Sequence, residues 1–99
     1  MGCQVYQQGS YKIYRAGHNY IIHNSQYPFE EKHSHVRNFA IAKQLIHLAI
    51  KKKIPHHLSI YLLTSLMRIS DDENYIEHLE TFIEVKHAKG KKLKYVNAS

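Results

Sequence analysis

Residues 38–53 read NFAIAKQLIHLAIKKK, the pattern of a single amphipathic helix. At about 100° per residue, the apolar side chains share an arc of roughly 200° and the polar side chains fill the opposite arc. The apolar arc contains Phe39, Ile41, Ala42, Leu45, Ile46, Leu48, Ala49 and Ile50. Asn38 or Ser34 is suited to cap its start, and Pro55 is expected to end it because proline cannot continue a helix. The stretch therefore predicts a core helix with a basic outer face.

Two further helices are expected. Apolar side chains at helical spacing predict a second helix over residues 58–69 and a third over residues 71–89. The second is apolar over more than half of its circumference, so we expect it to be the most buried. Ser70 and Glu73 have the spacing of a capping box for the third helix, and Gly90 is its expected stop.

The N-terminal half carries strand signals. Tyr11–Arg15 and Asn19–His23 are rich in aromatic and β-branched residues. Gly17 between them can adopt a positive φ, so the two runs predict a short hairpin. Residues 24–37 show no helical period and predict an extended loop, with a third short strand left open at 31–35.

These elements predict one α+β domain over residues 1–99, in which a short N-terminal β-hairpin packs on a three-helix core. The polar residues 1–10 and the basic residues 91–99 are predicted to be flexible. The expected interior consists of Tyr14, Ile21, Phe39, Ile41, Leu45, Ile46, Leu62, Leu66, Ile76, Leu79, Phe82 and Ile83.

Composition narrows the classes of protein to consider. A hydrophobic content of 43% fits a folded domain and is too high for a disordered chain. Cys3 is the only cysteine, so we expect no internal disulfide and a reducing, cytoplasmic location. No apolar run approaches about 18 residues, so no membrane span is expected. The richness in Lys, Ile, Tyr and Asn is typical of proteins from AT-rich bacterial or phage genomes.

The charge favours an anionic partner, with nucleic acid first. The net charge is +6 and the pI is about 9.5. Eight side chains on the outer faces of the first two helices are the candidate nucleic-acid contacts: Lys43, His47, Lys51, Lys52, Lys53, Tyr61, Thr64 and Arg68. The mobile tail, with Lys91, Lys92 and Lys94, would add electrostatic attraction. A helix-turn-helix pair is a further interpretation, although the connection between the helices is longer than that motif usually has.

A row of glutamates supports an alternative function. Glu73, Glu77, Glu80 and Glu84 fall within about 60° of one another on the third helix. Such a row suits an inhibitor or adapter that binds a basic protein, for example a nucleic-acid-handling enzyme. On the same helix, the apolar stripe of Ile76, Leu79 and Ile83 leaves open a homodimer.

The histidines suggest a second alternative, a metal-dependent enzyme. His33 and His35 would share one face of a strand with Glu31, and His18 or His23 could join them as zinc or iron ligands. A nuclease with His33 or His35 as its base and Lys32 or Arg37 against phosphate is also conceivable. The chain has no nucleotide-binding glycine motif, nucleophile elbow or HExxH helix. We therefore expect a non-catalytic binding or regulatory protein without a cofactor.

Overall fold

The architecture is a four-stranded antiparallel sheet followed by three helices. The computed structural model describes residues 2–98, and over residues 89–98 it describes the backbone alone. The elements are β1 (Cys3–Gln8), β2 (Tyr11–Ala16), β3 (Asn19–Asn24), β4 (His33–Val36), α1 (Phe39–Lys51), α2 (Ile60–Ile69) and α3 (Glu73–Ala98). The strands lie side by side in chain order. The predicted α+β class is confirmed, with a larger sheet than the predicted hairpin.

The predicted hairpin is formed by β2 and β3. Gly17 has a φ of +63°, which glycine adopts without strain, and it makes the tight turn between the two strands. Ile13 pairs with Ile22 across the hairpin, and both side chains are fully buried. The two aromatic and β-branched runs are therefore confirmed as strands.

Strand β1 was not predicted, because residues 1–10 were interpreted as a flexible polar segment. Cys3–Gln8 pairs with β2 as an edge strand, with an irregularity between Gln4 and Tyr6. Tyr6 packs against the core, whereas most side chains of the strand are exposed. The main chain supplies the ladder hydrogen bonds, so a polar edge strand carries little hydrophobic signal.

Strand β4 forms the other edge of the sheet. It covers His33–Val36, close to the third strand left open at 31–35. Ser34 and Val36 are buried, whereas His35 is exposed and His33 is partly exposed. Because neighbouring residues of a strand point to opposite faces, Ser34 and Val36 belong to the face that the helices cover.

Helix α1 begins as predicted and ends earlier than predicted. The Asn38 side chain accepts a hydrogen bond from the Ile41 N–H at 3.1 Å and caps the helix. Lys52 adopts a left-handed conformation with a φ of +55°, and its N–H is donated to the Leu48 carbonyl. This cap ends the helix, so Pro55 lies beyond the stop and does not cause it.

The other two helices begin later than predicted. Ser59 caps α2, so this helix starts at Ile60. Asp72, and not Ser70, caps α3: its Oδ1 accepts from the Tyr75 N–H at 2.9 Å. The Ser70 hydroxyl donates to the Leu66 carbonyl instead, so the predicted capping box does not form.

The C-terminal part of α3 differs from the prediction as well. The helix continues through Gly90 to Ala98, so Gly90 does not end it. The prediction that residues 91–99 are flexible stays a prediction, because their side chains lie outside the described set.

The core lies between the sheet and the helices. Helix α1 covers β2, β3 and β4, and α2 lies against α1, α3, β3 and β4. Of the predicted interior, Ile21, Leu45, Ile46, Leu66 and Leu79 are buried; Phe39, Ile41, Leu62, Phe82 and Ile83 are partly buried around them. Tyr14 and Ile76 are partly exposed.

The apolar stripe of α3 packs against the core of its own chain. Leu79 is fully buried and Ile83 packs against the core, so much of the stripe is covered by α2 and its neighbours. None of the helices in the described part of the chain has the length and apolar character that crossing a bilayer requires.

Candidate functional site

Side-chain hydrogen bonds hold α2 against the edge strand β4. The Tyr61 hydroxyl donates to the His35 carbonyl oxygen over 3.1 Å. The Ser34 hydroxyl donates to the Ser65 hydroxyl over 2.9 Å in a buried contact. Since Tyr61 and Ser65 are one helical turn apart, these bonds align α2 with the strand. We call the line where the two elements meet the β4–α2 seam.

Two cavities open along the seam. The first has a volume of about 390 Å³ and is lined by Val36, Arg37, Ile41, Ser59, Tyr61 and Leu62. The second has a volume of about 350 Å³ and is lined by Glu30, Lys32, His33, Ser34, His35 and Arg68. The first is mainly apolar, whereas the second is lined by ionisable and hydroxyl side chains. Tyr61 and Arg68 are seven residues apart, which places them about 10 Å apart along the helix.

Positive charge dominates the seam. Lys32, Arg37 and Arg68 line the cavities, whereas Glu30 is their only carboxylate. Within residues 2–88 the only salt bridge joins Lys52 and Asp72, so none of these three cations is paired in a salt bridge with a side chain of that range. The Lys32 ammonium lies 5.8 Å from the centroid of the Tyr27 ring. The seam therefore has unpaired positive charge that could bind an anion.

Tyr61 is an exposed aromatic ring whose hydroxyl is hydrogen-bonded to the edge strand. Its side chain is 60% exposed, although most tyrosines of the chain are partly or fully buried. Its hydroxyl is anchored to His35, and no other ring or cation of the described residues stacks on it. A ring held in this way can contact a flat ligand at little cost in conformational entropy.

The eight predicted nucleic-acid contacts fall into separate groups. Tyr61 and Arg68 lie at the seam. Thr64, between them, is half-buried and donates its hydroxyl to the Ile60 carbonyl at 2.9 Å. The Thr64 hydroxyl therefore already has an acceptor within its own helix.

Lys43, on the basic face of α1, does not line the seam. The Lys43 ammonium lies 4.9 Å from the centroid of the Phe39 ring, and Phe39 packs against Tyr6 of β1. Lys43 therefore lies beside a ring that packs on β1, and it lines neither cavity of the seam.

The other predicted basic contacts lie in the second half of α1 and just after it. His47, Lys51 and Lys53 are exposed. The Lys52 ammonium lies 3.7 Å from Asp72 Oδ2, so its charge is partly compensated. The cations of the chain are therefore divided between the seam and α1.

The predicted acidic row is exposed along its whole length. Glu73, Glu77, Glu80 and Glu84 are all on the outer face of α3, and none forms a salt bridge with a side chain of residues 2–88. Asp72, just before the row, has a pKa below its ordinary value, first because its carboxylate accepts the Tyr75 N–H and also because Lys52 is near. The tail lysines Lys91, Lys92 and Lys94 have side chains outside the described set.

The predicted metal ligands do not come together. His33 and His35 lie on one face of β4, as expected, with ring centroids 5.5 Å apart. The Phe29 ring stacks on His33, with 5.5 Å between the ring centroids, and lies 5.0 Å from the His23 ring. Within the described residues no group of three histidine, cysteine or acidic side chains could hold a metal ion. The alternative of a three- or four-ligand metal site therefore has no support among the described residues.

The seam includes residues that the search for nucleic-acid contacts missed. The sequence predicts Lys32 and Arg37 only as phosphate contacts of a nuclease, and it gives no functional signal for Val36 or Ile41. Lys32, Val36 and Arg37 share a signal of position, because they flank or belong to the short strand whose buried residues alternate at Ser34 and Val36, whereas Ile41 belongs to α1.

Comparison of the chain with family models, with curated proteins and with solved structures finds no match. The site is therefore interpreted from the chemistry of its own residues.

Proposed function

We propose that this protein is a non-catalytic nucleic-acid-binding protein that binds its ligand at the β4–α2 seam. The observation that supports the proposal most is the arrangement of Arg37 and Arg68 on either side of the anchored, exposed ring of Tyr61. Cations that bind phosphate beside an aromatic ring are the usual components of such a surface.

Electrostatics supports the same proposal. The seam has three cations and one carboxylate, and the whole chain has a net charge of +6. Each phosphate that a cation neutralises releases counterions, so binding should weaken as salt increases. Lys43 and Lys51–Lys53 would contribute long-range attraction from α1. We propose a regulatory role in the cytoplasm. A chain with a single cysteine forms no internal disulfide, so a reducing compartment suits it.

Fluorescence anisotropy tests the proposal. Labelled DNA and RNA, single-stranded and duplex, are titrated with the protein between about 50 and 200 mM salt. The double variant Arg37→Gln, Arg68→Gln should bind more weakly and reduce the salt slope by about 0.7 to 0.9 per lost phosphate contact.

The matched control is Lys43→Gln, Lys51→Gln, which removes the same charge from α1. It should reduce binding much less than the seam variant. Equal losses in both variants would contradict a site at the seam, and absence of binding to every probe at low salt would contradict the function.

The acidic row on α3 supports a second candidate, an inhibitor or adapter that binds a basic protein. All four glutamates are exposed and unpaired within residues 2–88, so they are available to a cationic surface. Charge reversal by Glu77→Lys, Glu80→Lys should abolish capture of such a partner and leave seam-dependent binding unchanged. Capture that survives the reversal would contradict this second function.

A further inference from the structure

We infer that the nucleic acid bound at the seam is single-stranded, and that one unstacked base enters the first cavity against Tyr61. This inference rests on the proposed function, and it names the kind of ligand and the position of its parts. A paired and stacked base has no free face to offer, whereas a base of a single strand can turn out of its stack.

The first cavity has the chemistry that a base requires. Val36, Ile41 and Leu62 give it apolar walls, and its volume of about 390 Å³ lies within the usual range for small-ligand sites. The Tyr61 ring adds an aromatic surface, which any of the bases can use for stacking. The cavity therefore favours a flat apolar ring without selecting one base by shape.

Polar groups stand at the edge of the same cavity. The Ser59 hydroxyl accepts a hydrogen bond from the Leu62 N–H and keeps its own proton to donate. Arg37 is exposed and offers several N–H donors. Carbonyl oxygens and ring nitrogens on the edge of a base are acceptors for such donors.

The second cavity is suited to a neighbouring phosphate. Arg68 and Lys32 line it, with His33 and His35 beside them, and Glu30 is the opposing charge. The Nδ1 of His33 is a buried atom without a hydrogen-bond partner among the described residues. Since Arg68 is about 10 Å along α2 from Tyr61, a strand that follows the seam can reach both cavities.

Substitutions at Tyr61 test the stacking contact. Tyr61→Phe keeps the ring and loses only the bond to the His35 carbonyl, so it is the control for Tyr61→Leu. We expect Tyr61→Leu to weaken binding of a labelled oligodeoxythymidine and an oligouridine by about 5- to 150-fold. The same variant should leave the weaker, phosphate-based binding of a hairpin duplex nearly unchanged.

A fluorescent variant gives a second measurement that does not depend on affinity. The chain contains no tryptophan, so Tyr61→Trp introduces a single reporter at the seam. Stacking should quench its fluorescence when the single strand is added and not when the duplex is added, at concentrations that saturate both. Thermal unfolding monitored by circular dichroism confirms that each variant is folded.

The outcomes separate the inference from the function on which it rests. Duplex that binds as tightly as single strands, with no effect of Tyr61→Leu and no selective quenching, would overturn the inference and leave the proposed function standing. Failure of every nucleic acid to bind would overturn both.

Discussion

The Ser34 hydroxyl of β4 donates a hydrogen bond to the Ser65 hydroxyl of α2, with 2.9 Å between the two oxygen atoms. Both residues are almost fully buried, at 1% and 2% exposure. A hydrogen bond is directional, so this bond favours one alignment of α2 along β4. Tyr61 lies one turn before Ser65 and Arg68 lies one turn after it, so the bond also positions the seam.

Removal of either hydroxyl should destabilise the protein. Ser65→Ala leaves the Ser34 hydroxyl buried without this partner, at a cost of about 1 to 3 kcal/mol. The double variant Ser34→Ala, Ser65→Ala should lose less than the sum of the single variants, because no unpaired hydroxyl remains. Urea denaturation measures all four proteins, and strictly additive losses would show that the two hydroxyls do not interact.

The cap of α3 should make stability depend on acid pH. Asp72 has a lowered pKa because it accepts the Tyr75 N–H, so the charged form stabilises the fold above its ordinary pKa of 3.8. This stability is lost as the pH falls through the lowered pKa of the folded state. Asp72→Ala should lower the melting temperature by a few degrees at neutral pH and by less at pH values below that range.

Asp72→Asn is the control for the cap itself. Its amide oxygen can still accept the Tyr75 N–H, so it should retain more stability than Asp72→Ala at neutral pH. Equal melting temperatures for the two variants would indicate that the charge beside Lys52, and not the hydrogen bond, is what stabilises this end of α3.

Tyr75 should contribute to stability through its hydroxyl. The hydroxyl donates to the Lys53 carbonyl at 2.6 Å, with the Leu48 carbonyl at 3.3 Å, so it joins α3 to the end of α1. Tyr75→Phe removes this bond, and we expect a loss of about 1 kcal/mol in urea denaturation. A variant as stable as the parent would show that the bond has no net value.

Alkaline pH should destabilise the fold through the same residue. Burial raises the pKa of Tyr75, and it raises the pKa of Tyr11 to about 12. A raised pKa stabilises the fold fully below the ordinary value of 10 and ceases to do so as the pH rises through the folded-state pKa. Tyr75→Phe should therefore show a shallower loss of stability above pH 10 than the parent, and an unchanged slope would contradict this assignment.

Charge reversal within the acidic row should stabilise α3. Glu77→Lys places a cation four residues after Glu73 and three before Glu80, so two repulsions become attractions. We expect a gain of about 0.5 kcal/mol at low salt that shrinks as salt screens the charges. Glu77→Gln only removes the repulsion and should gain less. A gain independent of salt would point to another cause.

Sequence periodicity served well where one face of an element is buried. The aromatic and β-branched residues of Tyr11–Arg15 and the helical spacing after Asn38 include side chains that the core covers, so β2 and α1 were found close to their true positions. Strand β1 was missed because main-chain hydrogen bonds, and not apolar side chains, attach its glutamines to the sheet. The cap of α3 was misplaced because Ser70 and Asp72 are both good caps and only the path of the chain selects between them.

The amino-acid order was enough to determine the α+β class, the hairpin, the three helices and the presence of Tyr61 and Arg68 on the outer side of the second helix. Tertiary packing decided which cations accompany them. It brought Lys32 and Arg37, some thirty residues away in the chain, beside α2 and left Lys43 over the Phe39 ring, outside both cavities. The reason is that local periodicity records which face of an element is buried, whereas the neighbour it is buried against depends on contacts between distant segments, here the one between Ser34 and Ser65.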